Sequence, residues 1–182
     1  MKRTVLLLFA MSTVCTLFAQ VDLKEIAKLT KDHSTAYYYD TLVKEFLTHP
    51  YDFEMSKGMS LYYGKLFTEA YEPYAFSPEQ TRFEDFFRQG NYQRALTLGQ
   101  RLIEKDPVDF ALLLKLLKCY LEQKDEEMAN FTRLQVNVLF KAIQRSGDGD
   151  TPGTAIKIIQ IADEYAMMAL MDVQGISRRS NM

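Results

Sequence analysis

Apolar residues recur at helical spacing in three stretches of the first half of the chain. The stretches cover about residues 22–33, 35–47 and 55–70. Spacings of three and four residues place apolar side chains on one face of a helix. The apolar positions are Leu23, Ile26, Ala27 and Leu29, then Tyr38, Leu42, Val43 and Phe46, then Met59, Tyr62, Tyr63, Leu66 and Phe67. We therefore predict an N-terminal helical region, rich in tyrosine, with a break at His49-Pro50 and a turn at Tyr71-Glu72-Pro73-Tyr74.

Small and turn-forming residues recur at a regular interval in the middle of the chain. Ala95 and Ala129 are one such interval apart, and each follows a predicted turn between two helices. A small residue at this position lets two helices approach closely, and Gly90 favours the left-handed conformation of the first turn. Pro107 ends the second helix of the first hairpin. Since the interval from Ala95 to Ala129 equals the tetratricopeptide period of about 34 residues, we predict one and a half to two tetratricopeptide-like repeats over about residues 80–143.

The repeats depart from the tetratricopeptide pattern at several positions. Gly99 stands where a large apolar residue is usual, and Glu79 and Arg82 occupy positions where the pattern has bulky side chains. Lys124-Asp125 replaces glycine in the second turn. Because about three repeats are needed for a free-standing array, we expect another part of the chain to cover its ends.

The segment from Phe110 to Leu121 is apolar around nearly its whole circumference, apart from Lys115 and Lys118. A helix of this kind is typical of the interior, between two layers. We expect the tyrosine-rich helices on one side of it and the next helix of the repeat on the other. A groove that binds a partner is the alternative explanation of the same pattern.

The last forty residues change in character. A run of turn-forming residues over 146–153 is followed by Ile156, Ile158, Ile159 and Ile161. These β-branched residues predict a strand over 155–161, whereas 165–173 is compatible with either a second strand or a helix. The predicted fold is therefore mainly α, with tetratricopeptide-like hairpins, a tyrosine-rich helical region before them and a small C-terminal β element. Residues 20–145 form the helical domain, and 146–182 belong to the same domain.

The N-terminus predicts export. Lys2 and Arg3 precede an apolar run from Val5 to Phe18, and the small residue Ala19 follows, as in a secretory signal peptide over residues 1–19. We expect a periplasmic or secreted product that begins at Gln20, without a transmembrane segment. Lipidation of Cys15 is the alternative, but Ser12-Thr13-Val14 lacks the apolar and small residues of a lipidation motif.

Removal of the signal peptide leaves residues 20–182, which suffice for one domain with a substantial core. The formal net charge changes from −2 to −4, and no basic stripe runs along the chain, so nucleic acid is not an expected partner. Cys119 is then the only cysteine, which excludes an internal disulfide.

Motifs of catalysis or metal binding are incomplete in this sequence. Asp148-Gly149-Asp150 begins like a calcium loop, but Pro152 and Ile159 occupy its fifth and twelfth positions, and the twelfth requires glutamate. The segment from Gly58 to Tyr62 lacks the last glycine of a nucleophile elbow. His33 and His49 are too far apart for a metal-binding helix motif. We expect no catalytic residue, no metal and no cofactor.

Several separate motifs carry a resemblance to a known family. They are Ser34 with Tyr37-Tyr38-Tyr39, Leu61-Tyr62-Tyr63-Gly64 with Tyr71-Glu72-Pro73-Tyr74, Asn91-Tyr92 with Asp106-Pro107, Ser146-Gly147-Asp148-Gly149, and Asp163-Glu164-Tyr165. In these motifs the chain resembles an exported bacterial family known only as a domain of unknown function. The resemblance spans nearly the whole mature chain, and it implies no activity.

The sequence favours a non-catalytic exported protein that binds or scaffolds another envelope protein or peptide. Its candidate partner-binding residues lie at the edge of the first repeat: Arg88, Gln89, Asn91, Gln93 and Arg94. One alternative is a small envelope hydrolase that uses carboxylates or tyrosines gathered by the fold. Another is a ligand-binding module with Tyr62, Tyr63 and Tyr74 as an aromatic platform.

Overall fold

The computed structural model describes residues 21–73 and 77–173, and eight α-helices lie in these ranges. The helices are α1 (Leu23–Lys31), α2 (Tyr39–Thr48), α3 (Met55–Gly64), α4 (Pro78–Arg88), α5 (Tyr92–Lys105), α6 (Phe110–Glu122), α7 (Glu126–Gln144) and α8 (Ile161–Val173). Short 3-10 turns occur at Pro50–Asp52, Lys65–Phe67 and Pro152–Thr154. Within those ranges, no helix combines the length and the apolar character that crossing a membrane requires. The predicted signal peptide and Tyr74 lie outside the described residues.

Two helical hairpins, α4–α5 and α6–α7, turn in the same way. In each turn one residue has a left-handed φ, 71° at Gly90 and 59° at Lys124. The next amide donates to a carbonyl five residues back, at 2.9 Å from Asn91 and 3.0 Å from Asp125. The side chains of Asn91 and Asp125 then cap the helix that follows. The regular interval in the sequence thus corresponds to two hairpins with one turn geometry.

The close-approach positions in these hairpins are occupied by small residues. Ala95 and Ala129 are fully buried. Gly99 is also buried, and a β-carbon there would lie 2.6 Å from Leu116 Cδ2 and 2.9 Å from Phe83 Cε2. The bulk that the repeat pattern expects at Gly99 is therefore supplied by side chains from α4 and α6, which fill the space from either side.

The departure at Glu79 also has a structural reason. Its carboxylate lies 2.9 Å from Arg101 Nε and 2.8 Å from Lys105 Nζ, so that it pairs with two cations of α5. These ion pairs join the first turn of α4 to the last turn of α5. A bulky apolar side chain at position 79 could not form these two ion pairs.

The tyrosine-rich region covers one end of the hairpin array, as expected. Helix α3 packs on α7, and α1 and α2 pack on α3, while α8 packs on α6. At the other end, α4 packs on α5 and presents exposed polar side chains at Thr81, Arg82 and Arg88. A polar outer helix is how a helical array ends in solvent. The described residues therefore form an array that is closed at both ends.

Helix α6 lies at the centre of the array, and its predicted burial is confirmed. Phe110, Ala111, Leu113, Leu116 and Cys119 are all at most 5% exposed. Helices α5, α7 and α8 supply the layers around it. The expectation that the tyrosine-rich helices form one layer on α6 is wrong, since α3 packs on α7 and α1 and α2 pack on α3.

The predicted C-terminal β element is wrong. No β-strand lies in the described residues; residues 155–160 have no regular secondary structure, and Ile161–Val173 form helix α8. β-branched isoleucines favour extended backbone, but a strand also needs a partner strand. Here the backbone of Lys157 and Ile159 bonds to side chains instead. In the region that the sequence left undecided, the alanine, methionine and leucine residues form a helix.

We predict that Ala129→Leu lowers the free energy of unfolding by about 1 to 3 kcal/mol, because the added atoms overpack the crossing of α6 and α7. Chemical denaturation monitored by circular dichroism measures this change. Asn137→Leu is the matched control, since Asn137 is exposed on the same helix. Gln135 is unsuitable as a control because it is only 5% exposed. Equal stability of Ala129→Leu and the parent would contradict the close approach.

Candidate functional site

A buried carboxylate joins the C-terminal helix to the rest of the molecule. Asp163 lies in the first turn of α8 and is fully buried. Its Oδ2 accepts a hydrogen bond from the hydroxyl of Tyr62 in α3 at 2.8 Å. Its Oδ1 accepts one from the backbone amide of Ala111, at the start of α6, at 3.2 Å. One side chain thereby connects three helices that are distant in the sequence.

The surroundings of Asp163 favour its neutral form. Burial, followed by the charge of nearby Asp109, raises the pKa of Asp163 to about 7. The hydrogen bond from Tyr62, the charge of Lys65 and the amide of Ala111 act in the opposite direction. Burial and the charge of Asp163 raise the pKa of Tyr62, so its hydroxyl keeps its proton and donates.

The buried side chain of Lys65 offsets part of the negative charge near Asp163. Lys65 is 5% exposed, and its Nζ lies 2.5 Å from Asp106 Oδ2 and 3.4 Å from the carbonyl oxygen of Val108. Asp109 caps α6 by accepting the amide of Leu112 at 2.8 Å. The turn between α5 and α6 therefore contributes two carboxylates, and the lysine comes from the end of α3.

Three carboxylates, a lysine and a tyrosine thus meet near the N-terminus of α6, and side chains of these types can form an acid–base site. A reaction also requires access for a substrate. Asp163, Tyr62 and Lys65 are at most 5% exposed, and every buried side-chain nitrogen and oxygen in the described residues has a hydrogen-bond partner. The same residues contain no group of three or more potential ligands arranged for a metal ion. The hydrogen bonds of Asp163 in this cluster join α3 and α8 to α6.

Two side chains hold the backbone of Lys157. Its carbonyl accepts a hydrogen bond from the hydroxyl of Tyr63 at 2.9 Å, and its amide donates to Ser146 Oγ at 2.8 Å. Ser146 is buried just after α7 and donates in turn to the carbonyl of Ile143 at 2.7 Å. Burial raises the pKa of Tyr63 to about 12, so the phenol remains a neutral donor.

The backbone of Ile159 is held in the same way. Its amide donates to the hydroxyl of Tyr62 at 3.3 Å, and its carbonyl accepts from the hydroxyl of Tyr71 at 2.5 Å. Residues two apart in an extended chain direct their backbone groups to the same side. The paired groups of Lys157 and Ile159 therefore fit an extended segment that reaches a bend at Ile159 and Gln160, with one edge against the tyrosines.

The structure corrects the predicted aromatic platform. Tyr62 and Tyr63 are 0% and 1% exposed, and their rings pack edge to face with centroids 4.9 Å apart. Their hydroxyls bond to groups inside the protein, so neither ring offers a surface to a ligand. Tyr74, the third member, lies outside the described residues. The physical reason for the error is that a buried tyrosine needs a partner for its hydroxyl, and the C-terminal segment supplies it.

The five candidate partner-binding residues come together at the turn between α4 and α5. The guanidinium of Arg88 pairs with Asp85 at 2.5 Å, and its side chain is 72% exposed. The guanidinium of Arg94 lies 5.4 Å from the centre of the Phe86 ring. Within this edge Gln89 ends α4, Asn91 caps α5, and Gln93 is exposed. The turn is thus a polar surface whose two arginines both contact side chains of α4.

Sequence reasoning did not identify Asp163, Lys65 and Ser146 as one assembly. Asp163 lies in the first turn of a helix, where acidic residues are common, and nothing in the neighbouring sequence indicates that it is buried. Each of the three belongs to, or directly follows, a motif that carries the family resemblance. Lys65 alone has a signal in the sequence, since it is a single charged residue between Tyr63-Gly64 and Leu66-Phe67, and a charged side chain in such a place is buried only with partners.

Two surface clefts adjoin the C-terminal segment. The first has a volume of about 340 Å³ and is lined by Met55, Lys141, Gln144, Arg145, Gly147, Asp148, Ile156 and Met171. The second has a volume of about 420 Å³ and is lined by Ile156, Ile158, Glu164, Met167, Met168 and Met171. Neither cleft includes the buried cluster around Asp163.

No curated protein and no solved structure matches this chain. The sequence model of one family, described as a domain of unknown function (DUF4919), matches residues 24–182. That range includes the cluster around Asp163 and all but the first residue of the helices in the described structure. The chain therefore belongs to the DUF4919 family of domains of unknown function.

Proposed function

We propose that this protein is a non-catalytic interaction or scaffold protein that holds another envelope protein or peptide. The observation that supports this proposal most is the repeated hairpin, with the same turn geometry at Gly90 and Lys124. The interval between these two residues is the tetratricopeptide period, and tetratricopeptide repeats bind other proteins along extended surfaces. The tyrosine-rich helices take the place of a further repeat by covering α7.

The residues that a catalytic or ligand-binding function would use are more deeply buried than the surfaces available for a partner protein. A hydrolase would need the carboxylates of the α6 cluster to face a substrate, and Asp163 is fully buried. A ligand-binding module would need exposed aromatic rings, and those of Tyr62 and Tyr63 are buried. The described residues do expose a polar edge at the turn between α4 and α5 and apolar side chains on α8, and both suit contacts with a protein.

The turn between α4 and α5 is one proposed contact surface. Arg88 and Arg94 are exposed there, in a chain whose net charge is negative. The turn lies in the hairpin that the tyrosine-rich helices leave uncovered. An acidic partner surface would meet complementary charge at this edge.

We predict that Arg88→Glu combined with Arg94→Glu abolishes co-purification of a partner from the native envelope. The variant should retain its melting temperature, because exposed ion pairs and exposed cation–π contacts each contribute about 1 kcal/mol or less. Lys24→Glu with Lys44→Glu is the control, since both lysines are exposed on other helices. Full recovery of the partner by the Arg88 and Arg94 variant would move the contact surface elsewhere. If the parent protein recovers no partner, the proposed function itself fails.

We also propose that the protein is exported. The signal-peptide pattern before Gln20 supports cleavage after Ala19. Mass spectrometry of the protein from its native host is therefore expected to find an N-terminus at Gln20. A diacylated peptide that begins at Cys15, recovered from the membrane fraction, would contradict this expectation.

A further inference from the structure

Residues 156–159, which the tyrosines hold, form backbone hydrogen bonds with the described residues along one edge only. The amides and carbonyls of Lys157 and Ile159 are all hydrogen-bonded to side chains. Neither Ile156 nor Ile158 makes a backbone hydrogen bond with any residue that the structure describes. Alternate residues of an extended chain direct these groups to opposite sides. The edge formed by the backbone groups of Ile156 and Ile158 therefore faces away from the tyrosines, and no group in residues 21–73 and 77–173 is hydrogen-bonded to it, so we expect that it can pair with another chain.

Apolar surface adjoins this open edge. The two clefts share Ile156 and Met171, and methionines contribute to both. Methionine side chains adapt to varied apolar partners, which suits a surface that binds peptides. Helix α8 extends the apolar surface with Ile161, Tyr165 and Met168, which are 59%, 66% and 49% exposed. These three residues recur at spacings of four and three, so they share one face of the helix.

The first cleft is bordered by positive charge. Lys141 and Arg145 lie at the end of α7, one turn apart, and neither forms an ion pair within the described residues. Among the described residues that line this cleft, Asp148 is the one acidic residue, and its carboxylate accepts the amide of Asp150 at 2.9 Å. Two cations and one carboxylate give this part of the cleft a net positive charge, which an acidic side chain of a partner would complement.

We propose that the edge at Ile156 and Ile158 binds an extended segment of a partner protein. The partner segment pairs its backbone with the open amides and carbonyls, places apolar side chains in the two clefts, and sets an acidic side chain beside Lys141 and Arg145. This proposal rests on the proposed interaction function and adds a second contact surface to the turn between α4 and α5.

The test uses peptides selected from a random displayed library on the mature chain, residues 20–182. Selected peptides are expected to alternate apolar residues and to contain an acidic residue. In fluorescence polarisation, Ile158→Pro should weaken their binding at least tenfold by removing a donor, and Ile158→Val should not. Lys141→Glu with Arg145→Glu should weaken binding similarly, and Arg88→Glu with Arg94→Glu should leave it unchanged.

A second measurement does not depend on the folding of a proline variant. In the unmodified protein, saturating peptide should slow hydrogen exchange at the amides of Ile156 and Ile158. Failure to select any peptide, or a selected peptide that leaves both amides unprotected, would overturn the proposal. A dimer of the mature chain that Ile158→Pro dissolves, with no peptide binding, would assign the edge to a second copy instead. If any of these three results occurs while a partner still co-purifies with the protein, the proposed function stands and only the binding edge is wrong.

Discussion

Asp163→Ala is expected to lower the free energy of unfolding by about 3 kcal/mol, because it leaves two buried donors without an acceptor. Those donors are the hydroxyl of Tyr62 and the backbone amide of Ala111. The loss should separate α8 from α3 and α6 before the rest of the array unfolds, because the side chain joins these three helices. Chemical denaturation measures the total change, and hydrogen exchange along α8 locates it.

The neighbouring residue supplies the control for this variant. Glu164 is exposed on the same turn of α8, so Glu164→Ala should change stability by less than about 0.5 kcal/mol. Asp163→Asn keeps the size of the side chain and one oxygen acceptor, and its effect should lie between those of the two alanine variants. Equal stability of Asp163→Ala and Glu164→Ala would show that the carboxylate does not join the helices.

The same carboxylate predicts how stability depends on pH. Its pKa in the folded protein is about 7, against an ordinary value of 3.8, so the folded state holds this proton more tightly than the unfolded state. The contribution of Asp163 is therefore fully present below about pH 4 and is lost as the pH rises through 7. In Asp163→Asn this decline should be absent, so the stability of the parent relative to the variant should fall between pH 4 and 7. A relative stability that rises over this range would contradict the raised pKa.

Gly147→Ala is expected to destabilise the protein by about 3 kcal/mol, since the added carbon has no space. A β-carbon at this position would lie 2.2 Å from the carbonyl oxygen of Thr154 and 2.6 Å from that of Ala155. Both are backbone atoms, so neither can rotate away as a side chain would. The loop must therefore move, and the extended segment at 156–159 should move with it. Thermal unfolding followed by circular dichroism tests this expectation.

Gly153 provides the matched control within the same loop. A β-carbon there would meet only Thr151 Oγ1, at 3.8 Å, which is an ordinary contact. Gly153→Ala should therefore leave the melting temperature nearly unchanged, while Gly147→Ala lowers it by several degrees. Similar melting temperatures for the two variants would mean that the backbone does not approach Gly147 closely.

The sequence predicted the helical part of this fold well, because local signals determine it. The apolar spacing in α1, α2 and α3 indicated helices, and the residues at the turns marked where each hairpin reverses. The turn at Lys124 was found without a glycine, from its position relative to Ala129. These features depend on residues close together in the chain, which a periodic pattern reports directly.

The C-terminal region was predicted poorly, because contacts between distant residues determine it. The isoleucines after residue 155 favour extended backbone, and residues 155–158 are neither helix nor bend, but side chains more than ninety residues away along the chain satisfy part of the hydrogen bonding of this segment. No local pattern reports that Tyr62 and Tyr63 would bond to this segment. Without that information, their rings suggested a surface platform instead of a support for the C-terminal backbone.

The backbone groups along residues 156–159 alternate between bonded and unbonded within the described residues, and this alternation underlies both the attachment of the segment to the tyrosines and the proposed binding edge. Amide hydrogen exchange of the free mature chain, resolved by residue with NMR, tests it most directly. Lys157 and Ile159 should exchange slowly, because their amides donate to Ser146 and Tyr62. Ile156 and Ile158 should exchange rapidly. Equal protection of all four amides, as in a paired strand, or equal exposure of all four would contradict the account.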